Sequence, residues 1–530
     1  MLRPAAYRAS TDVPGFHAMS FYSILFRESD QTATAEAREA PAFFRDLNLD
    51  QIVEAVTADW KHYDLIPFFY SPLMDVDAIA YRQEVMEDLE EGSLWEPVRK
   101  FSKCMQEMRK CLVAARRLSD YKHAAARWFL CGAEIYIDAI VDISHALASD
   151  RAKSRGLIAL RMYLSAYSDS MALQELSAQA RKLKKELSSI RYCVLLSNGA
   201  ITVNRYDEEP DYSRAVEETF EKFRSIESGN HRAPQPSSQE MNHIQAHILD
   251  GLALLYPELF HSLAEFQSLH QDYLDATIVR FDREVQFYVA YLTYIEKFRR
   301  KGFSFSRPQL SQTSKEVHCH NGFDLALAHQ LLDRRMTIVP NDFDLGGTER
   351  ILVVSGPNQG GKTTFARMFG QMHHLASLGC IVQGTDVRLF AFDRLFTHFE
   401  RHEDIRNLRG KLQDDLVRVR HILDAATPAS LIVLNEMFSS TTLKDATCLS
   451  AKVMDRVSKL DAICVWVTFL DELASFNEKT VSMVSAVDPA NPEVRTYKIE
   501  RKAADGLAYA LAIARKYRVT YDCLRERIKT

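Results

Sequence analysis

The sequence predicts a multidomain chain in which an all-α region carrying a small β tip precedes an α/β domain built around a phosphate-binding loop. Three observations predict it. Apolar residues recur at spacings of three and four from about residue 41 to about residue 301. Short β-branched runs alternate with helical patterns after about residue 317. The segment "SGPNQGGKTT" joins one of those runs to a helix.

The 530 residues suffice for several domains, and a hydrophobic content of 47% can bury their cores. Residues 1–40 lack sustained periodicity and contain "ESDQTATAEAREA", so they are expected to form a mostly mobile lead-in. Long amphipathic patterns follow, as in "LWEPVRKFSKCMQEMRKCLVAARRL" and "LIALRMYLSAYSDSMALQELSAQARKLKKEL". At "RYCVLLSNGAITVNRY", β-branched runs flank Ser197-Asn198-Gly199, a hairpin signal. The polar "ESGNHRAPQPSSQE" reads as a surface loop, and helical pattern returns from about residue 241 to 301. Helices out, a tip at about residues 186–240 and helices back describe an antiparallel arm inserted into a helical region spanning 41–316. Residues 317–530 then alternate "RILVVS", "GCIVQ", "RLFTHF", "SLIVLN" and "AICVWVTF" with helices, the pattern of a largely parallel sheet.

Composition narrows the function classes. A formal net charge of -5 argues against a protein that coats nucleic acid or membrane over its whole surface, and leaves room for local basic patches. The nine cysteines form no C-x-x-C pair and no dense scaffold, which fits a reducing cytosol. His318-Cys319-His320 would place neighbours on opposite faces of an extended chain, so no structural metal is expected. No signal peptide and no apolar stretch of the roughly 20 residues of a membrane span is evident, so a cytoplasmic protein without a membrane partner is expected.

The phosphate loop carries the most specific chemistry. Gly356, Gly361, Lys362 and Thr363 fit G-x-x-x-x-G-K-[ST], with a strand before and a helix after. Glycines let backbone N–H groups close around phosphate oxygens, and a helix N-terminus adds partial positive charge. A lysine reaches the β- and γ-phosphates, and a threonine hydroxyl ligates Mg²⁺. The expected nucleotide-binding set is Gly356, Pro357, Asn358, Gln359, Gly360, Gly361, Lys362, Thr363 and Thr364.

Taken with "VPNDFDLGGTERILVVS" before it, this loop resembles the start of the ATPase domain of MutS-type DNA mismatch-repair proteins, where a Val-x-Asn-Asp segment precedes Gly-Pro-Asn-x-Gly-Gly-Lys. The resemblance continues through "FDRLFTHF", the Glu436 strand and "ADGLAYALAIARKY". Upstream, "DLIPFFYSPLMDVDAIAYRQEVMEDL" and "LDATIVRFDREVQFYVAYLTYIEKF" resemble the family's helical core and the helix returning from its clamp. It implies a short MutS-like protein with core, clamp and ABC-type ATPase, lacking the N-terminal mismatch-reading domain. ATP, Mg²⁺, a homodimer and sequence-independent DNA binding are implied with it.

Carried over by position, Glu436 is the catalytic acid that handles the attacking water. Asn435 stands where the family has the Asp that holds Mg²⁺, which keeps an acceptor and loses a charge. Ser440, Thr441 and Thr442 replace a glycine-containing signature that reaches a partner's nucleotide. Phe469 stands where the family's switch has His, and a phenyl ring cannot hydrogen-bond a phosphate.

Two basic clusters lie where the resemblance places the clamp: Lys103, Arg109, Lys110, Arg116, Arg117, Lys122 and Arg127, then Arg181, Lys182, Lys184, Lys185 and Arg191 with only Glu186 opposing. The second is the expected DNA contact, neutralising phosphates without reading bases. A solvated helix face is the plainer explanation of either run. Two other functions stay open: a nucleotide-gated scaffold with little hydrolysis, and an ATPase acting on a ribosome or protein partner. The acidic "YDEEPDYSRAVEE" supports the latter.

Overall fold

A computed structural model describes residues 21–27, 37–150, 152–197, 200–207, 241, 243–332, 334, 337–400, 410–488, 494–504 and 517–528. These divide into two compact units. One contains Gly92–Ala152 and Ile158–Asp282, and the other contains Tyr22–Glu91, Lys153–Leu157 and Arg283–Thr530.

The first unit is helical, as the periodicity requires. The helices Trp95–Arg117 and Lys122–Ser149, joined by a short turn, pack through buried small residues that include Ala114, Ala115, Ala125 and Ala133. Small side chains let the two backbones approach closely. The helix Met171–Ser189 starts at Ser170, whose hydroxyl accepts the Leu173 N–H at 3.3 Å. It leads to β1 (Tyr192–Ser197) and β2 (Ala200–Arg205), antiparallel from Tyr192 opposite Arg205 to Ser197 opposite Ala200. The pairing matches the hairpin signal, whose Asn198 and Gly199 lie outside the described residues. Most of the expected tip, including the acidic stretch from residue 208, lies outside the described residues.

The second unit holds the remaining strands: β3 (Phe305–Ser306), β4 (Gln309–Ser311), β5 (Val317–Gly322), β6 (Asn341–Leu345), β7 (Ile351–Ser355), β8 (Val382–Gln383), β9 (Thr385–Phe390), β10 (Leu395–His398), β11 (Leu431–Asn435), β12 (Ile463–Val467), β13 (Thr480–Val487) and β14 (Arg495–Arg501). The main sheet runs β10-β11-β12-β7-β13-β14, parallel except for β14. Every residue of β7, β11 and β12 is buried, which is why they read as continuous apolar runs. Their carboxyl ends share one edge, where open α/β sheets place their ligands. A second sheet, β4-β9-β5-β6, lies beside it in sequence. In β5, Cys319 is buried while His320 is exposed, the alternation expected of an extended chain.

Three expectations are corrected. Within the lead-in expected to be mobile, Phe21, Ile24, Leu25 and Phe26 are buried, and Ile24 N donates to Glu284 Oε2 at 3.0 Å. Residues 1–20 and 28–36 of that segment lie outside the described residues. The boundary at 316/317 does not separate the compact units, because Tyr22–Glu91 and 283–316 pack with the α/β elements. Phe43 and Phe44 sit 5.3 and 5.2 Å from the His374 ring, His374 Nε2 meets Phe69 O at 2.9 Å, and buried Arg82 donates to Leu378 O at 3.3 Å. Finally, "GCIVQ" yields only the short β8, since its apolar residues pack as a loop.

Candidate nucleotide site

From Ser355, at the end of β7, the chain turns through residues 356–361 into the helix Lys362–Ser377. The turn needs glycine at two points, Gly356 (φ 110°) and Gly361 (φ 91°), and Gln359 (φ 61°) shares the left-handed region. Gly360 is required by space: a Cβ there would lie 2.1 Å from Ser485 Oγ and 3.0 Å from Pro357 O. Ser485 Oγ donates to Gly360 O at 2.8 Å and fixes the loop to β13. Gly361 is the N-cap, so the free N–H groups of the first helical turn face the concavity of the loop. Asn358 and Gln359 are exposed at its crest, Pro357 is buried, and Thr364 is half-buried.

Lys362 does not project into solvent from the loop. It is 5% exposed, and its ammonium donates to Gly356 O and Pro357 O at 3.0 Å each. Burial lowers its pKa, Glu436 opposes that shift, and Arg495 adds to it.

Two strands away, β11 delivers the acidic side. Thr363 Oγ1 donates to Asn435 Oδ1 at 2.9 Å, joining residues that the sequence separates widely. Asn435 is buried, and Glu436 follows it in a left-handed conformation (φ 50°) with its N–H donating to Val467 O at 2.9 Å. A non-glycine residue held there is strained, a feature that concentrates at functional sites. Glu436 lines one cavity of about 380 Å³ together with Lys362 and Thr363. The other end of that cavity is apolar, with Phe323, Leu327, Ile338, Val339 and Met368. Such a volume falls in the range of small-molecule sites. The apolar end suits a flat base, and the loop end suits a phosphate chain. The Thr363 and Asn435 oxygens are hard donors of the kind Mg²⁺ takes, so the residues present fit that ion.

Sequence reasoning missed four contributors. Ser485 braces the loop, Arg495 acts on Lys362, and Tyr497 and Asp324 line the cavity. Asp324 is buried, which raises its pKa, and it accepts from Gln371 Nε2 at 2.9 Å and caps a short helix. Asn341 of the Val-x-Asn-Asp segment accepts the Ile499 N–H at 2.7 Å and donates to Tyr497 O at 3.1 Å. The motif marked Asn341; nothing local marked its partners on β14.

The region that builds this site has recognisable relatives. MutS domain V matches residues 352–525. The DNA mismatch repair protein MSH3 of Kluyveromyces lactis is 27% identical over 168 residues, 32% of this chain and 16% of that protein. MutS of Petrotoga mobilis is 25% identical over 219 residues, 40% of this chain and 26% of that protein. Endonuclease MutS2 of Thermomicrobium roseum is 28% identical over 202 residues, 38% of this chain and 25% of that protein. Over this C-terminal region the chain is similar to proteins of the MutS family. Its matched region spans no more than about a quarter of the length of these relatives.

The remaining predicted residues fall as follows. Ser440 is exposed and Thr441 half-buried, while Thr442 caps the helix Leu443–Leu460, its hydroxyl accepting the Asp445 N–H at 3.2 Å. Thr468 Oγ1 is committed to Leu470 N at 3.0 Å, and Phe469 beside it is 48% exposed. The basic residues belong to the other compact unit. There Lys184 pairs with Glu134 at 3.3 Å and Lys182 with Glu186 at 4.0 Å, so two carboxylates oppose the cluster. Arg191 is exposed, and its carbonyl accepts from Tyr256 Oη at 3.0 Å. Among the described residues no helix is long and apolar enough to cross a membrane.

Proposed function

We propose that this chain is a cytoplasmic ATPase of MutS type that binds DNA without sequence preference, with ATP turnover by a homodimer controlling the helical arm. The observation that carries the reading is the Thr363–Asn435 hydrogen bond at 2.9 Å, with Glu436 next in the chain and lining the same cavity as Lys362. The loop N–H groups and helix N-terminus hold the phosphates. Lys362 exchanges the Gly356 and Pro357 carbonyls for phosphate oxygens, which are stronger, charged acceptors. Glu436 orients a water and takes its proton. Thr363 and Asn435 would hold Mg²⁺, which would supply positive charge to the phosphates. Ser440, Thr441 and Thr442 lie on the surface that would meet the partner's nucleotide.

Two features favour slow turnover: Asn435 brings no negative charge, and Phe469 offers no hydrogen bond. At the limit, the chain is a nucleotide-gated scaffold. Steady-state ATP hydrolysis by wild type and Lys362→Ala tests the reading. A rate that Lys362→Ala abolishes supports the ATPase, tight ATP binding with no Lys362-dependent turnover supports the scaffold, and no ATP binding overturns both.

A further inference from the structure

The helices Trp95–Arg117 and Lys122–Ser149 bring two thiols together. Cys111 Sγ donates to Cys131 Sγ at 3.6 Å, and side chains crowd the adjacent Gly132. A Cβ on Gly132 would lie 3.3 Å from Leu112 Cδ2, 3.3 Å from Tyr273 Oη and 3.5 Å from Cys111 Cβ. Cys111 is buried and Cys131 half-buried. A surface groove of about 670 Å³ is lined by Leu112, next to Cys111 in the chain, and by Phe129 and Tyr273. None of this is used by the nucleotide site, which lies in the other unit.

We propose that Cys111 and Cys131 form a dithiol site that hydrogen peroxide oxidises to an intramolecular disulfide, locking the two longest neighbouring helices of the arm together. Cys131 is the attacking sulfur. The hydrogen bond from Cys111 lowers its pKa to about 6 against the opposing effect of burial, Arg127 and Lys184 assist, and Glu134 resists. Cys111 is shifted upward, by its hydrogen bond to Cys131 first and then by burial, with Glu107 adding and Arg127 opposing. Tyr273, its own pKa raised by burial and by both sulfurs, stays protonated beside them. In the first step the Cys131 thiolate attacks a peroxide oxygen, the O–O bond breaks, and one water leaves after taking a proton, giving Cys131 sulfenic acid. Cys111 sulfur then attacks Cys131 Sγ, the S–O bond breaks, and the second water carries away the Cys111 proton. Two thiols lose two electrons and one peroxide gains them.

The test is a non-reducing tryptic map of the full chain after treatment with hydrogen peroxide. The expected product is the peptide beginning at Cys111 and ending at Arg116 joined to the peptide beginning at Trp128 and ending at Arg151, with two thiols lost and both recovered by dithiothreitol. Formation should rise with pH and should begin below the usual thiol range, because the hydrogen bond from Cys111 favours the Cys131 thiolate. In Cys111→Ser, a dimedone adduct on Cys131 should replace the link. The proposal fails if both thiols of the wild type remain open to alkylation, if Cys131 goes to sulfinic acid without a link, or if either cysteine pairs elsewhere. The wild-type map decides the matter even if the variant does not fold.

Discussion

At the scale of single residues, the site depends on two close contacts that substitution can probe. Asn435 Oδ1 already accepts the Thr363 hydroxyl, so Asn435→Asp keeps the shape and adds a charge where the proposed Mg²⁺ sits. Half-saturation for Mg²⁺ in nucleotide binding should fall by roughly tenfold, the effect of about 1.4 kcal/mol. Hydrolysis should hold or rise at limiting Mg²⁺, and the gain should shrink at saturation. Glu436→Gln should instead slow turnover at every Mg²⁺ concentration while ATP stays bound. An Asp variant with the wild-type Mg²⁺ dependence would remove Asn435 from the metal-holding position. Gly360 offers an independent check, because Gly360→Ala must displace Ser485 Oγ from 2.1 Å. ATP affinity should drop at least tenfold, and adding Ser485→Ala should restore part of it. Restoration stays partial because Pro357 O, at 3.0 Å from the new Cβ, does not move with the serine. Full affinity in Gly360→Ala alone, measured by calorimetry, would mean that the loop does not cradle phosphate. The motif made this glycine legible in the sequence, whereas Ser485, far along the chain, carried no local signal.

At the scale of elements, the helix Lys362–Ser377 connects phosphate chemistry to folding. Its first turn opens on the loop, and its last turns bury His373 and His374, both lowered by burial to a pKa of about 4. His373 Nδ1 meets Phe369 O at 2.8 Å and His374 Nε2 meets Phe69 O at 2.9 Å, which the neutral rings satisfy as donors. The folded state therefore binds protons less readily than the unfolded chain. The stability this confers is complete above pH 6.5 and is lost as pH falls toward about 4. Each histidine should cost roughly 2 kcal/mol by pH 5. The melting temperature of the wild type should fall over that window, and His373→Gln with His374→Gln should flatten the fall; parallel profiles would show that neither ring controls it. The same helix also explains what the sequence hid. Buried runs such as "LIVLN" and "ICVWV" announced parallel strands because both faces are covered. The second sheet did not announce itself, since "VHCHNG" and "NDFDL" mix polar and apolar positions. The domain boundary was placed where the texture changes, but Phe43, Phe44, Phe69 and Arg82 pack around the end of this helix from far upstream.

At the scale of the whole molecule, a net charge of -5 means that any DNA contact has to be concentrated locally, and the best candidate is Lys182, Lys184 and Lys185 with Arg191. The sequence suggested one opposing acid, and the structure adds Glu134, 3.3 Å from Lys184. The Lys182 and Lys184 side chains are 75% and 59% exposed, so both pairs are weak and water-screened. A phosphate can compete for those lysines, but each must first release a carboxylate, and only Lys185 has no ion pair among the described residues. Neutralising all three should therefore reduce the salt slope of DNA binding by between one and about three phosphate units rather than by the full count. The loss should be the same for duplexes of unrelated sequence, since backbone contacts carry no base information. Lys185→Ala alone should account for about one unit, and Lys184→Ala for less. Fluorescence anisotropy over a series of salt concentrations measures each slope. If the triple variant keeps both affinity and slope, the cluster is a solvated helix face and the arm's partner is a protein or ribosome. If the loss depends on sequence, the arm reads bases, and the counterion argument is the wrong physics for this surface.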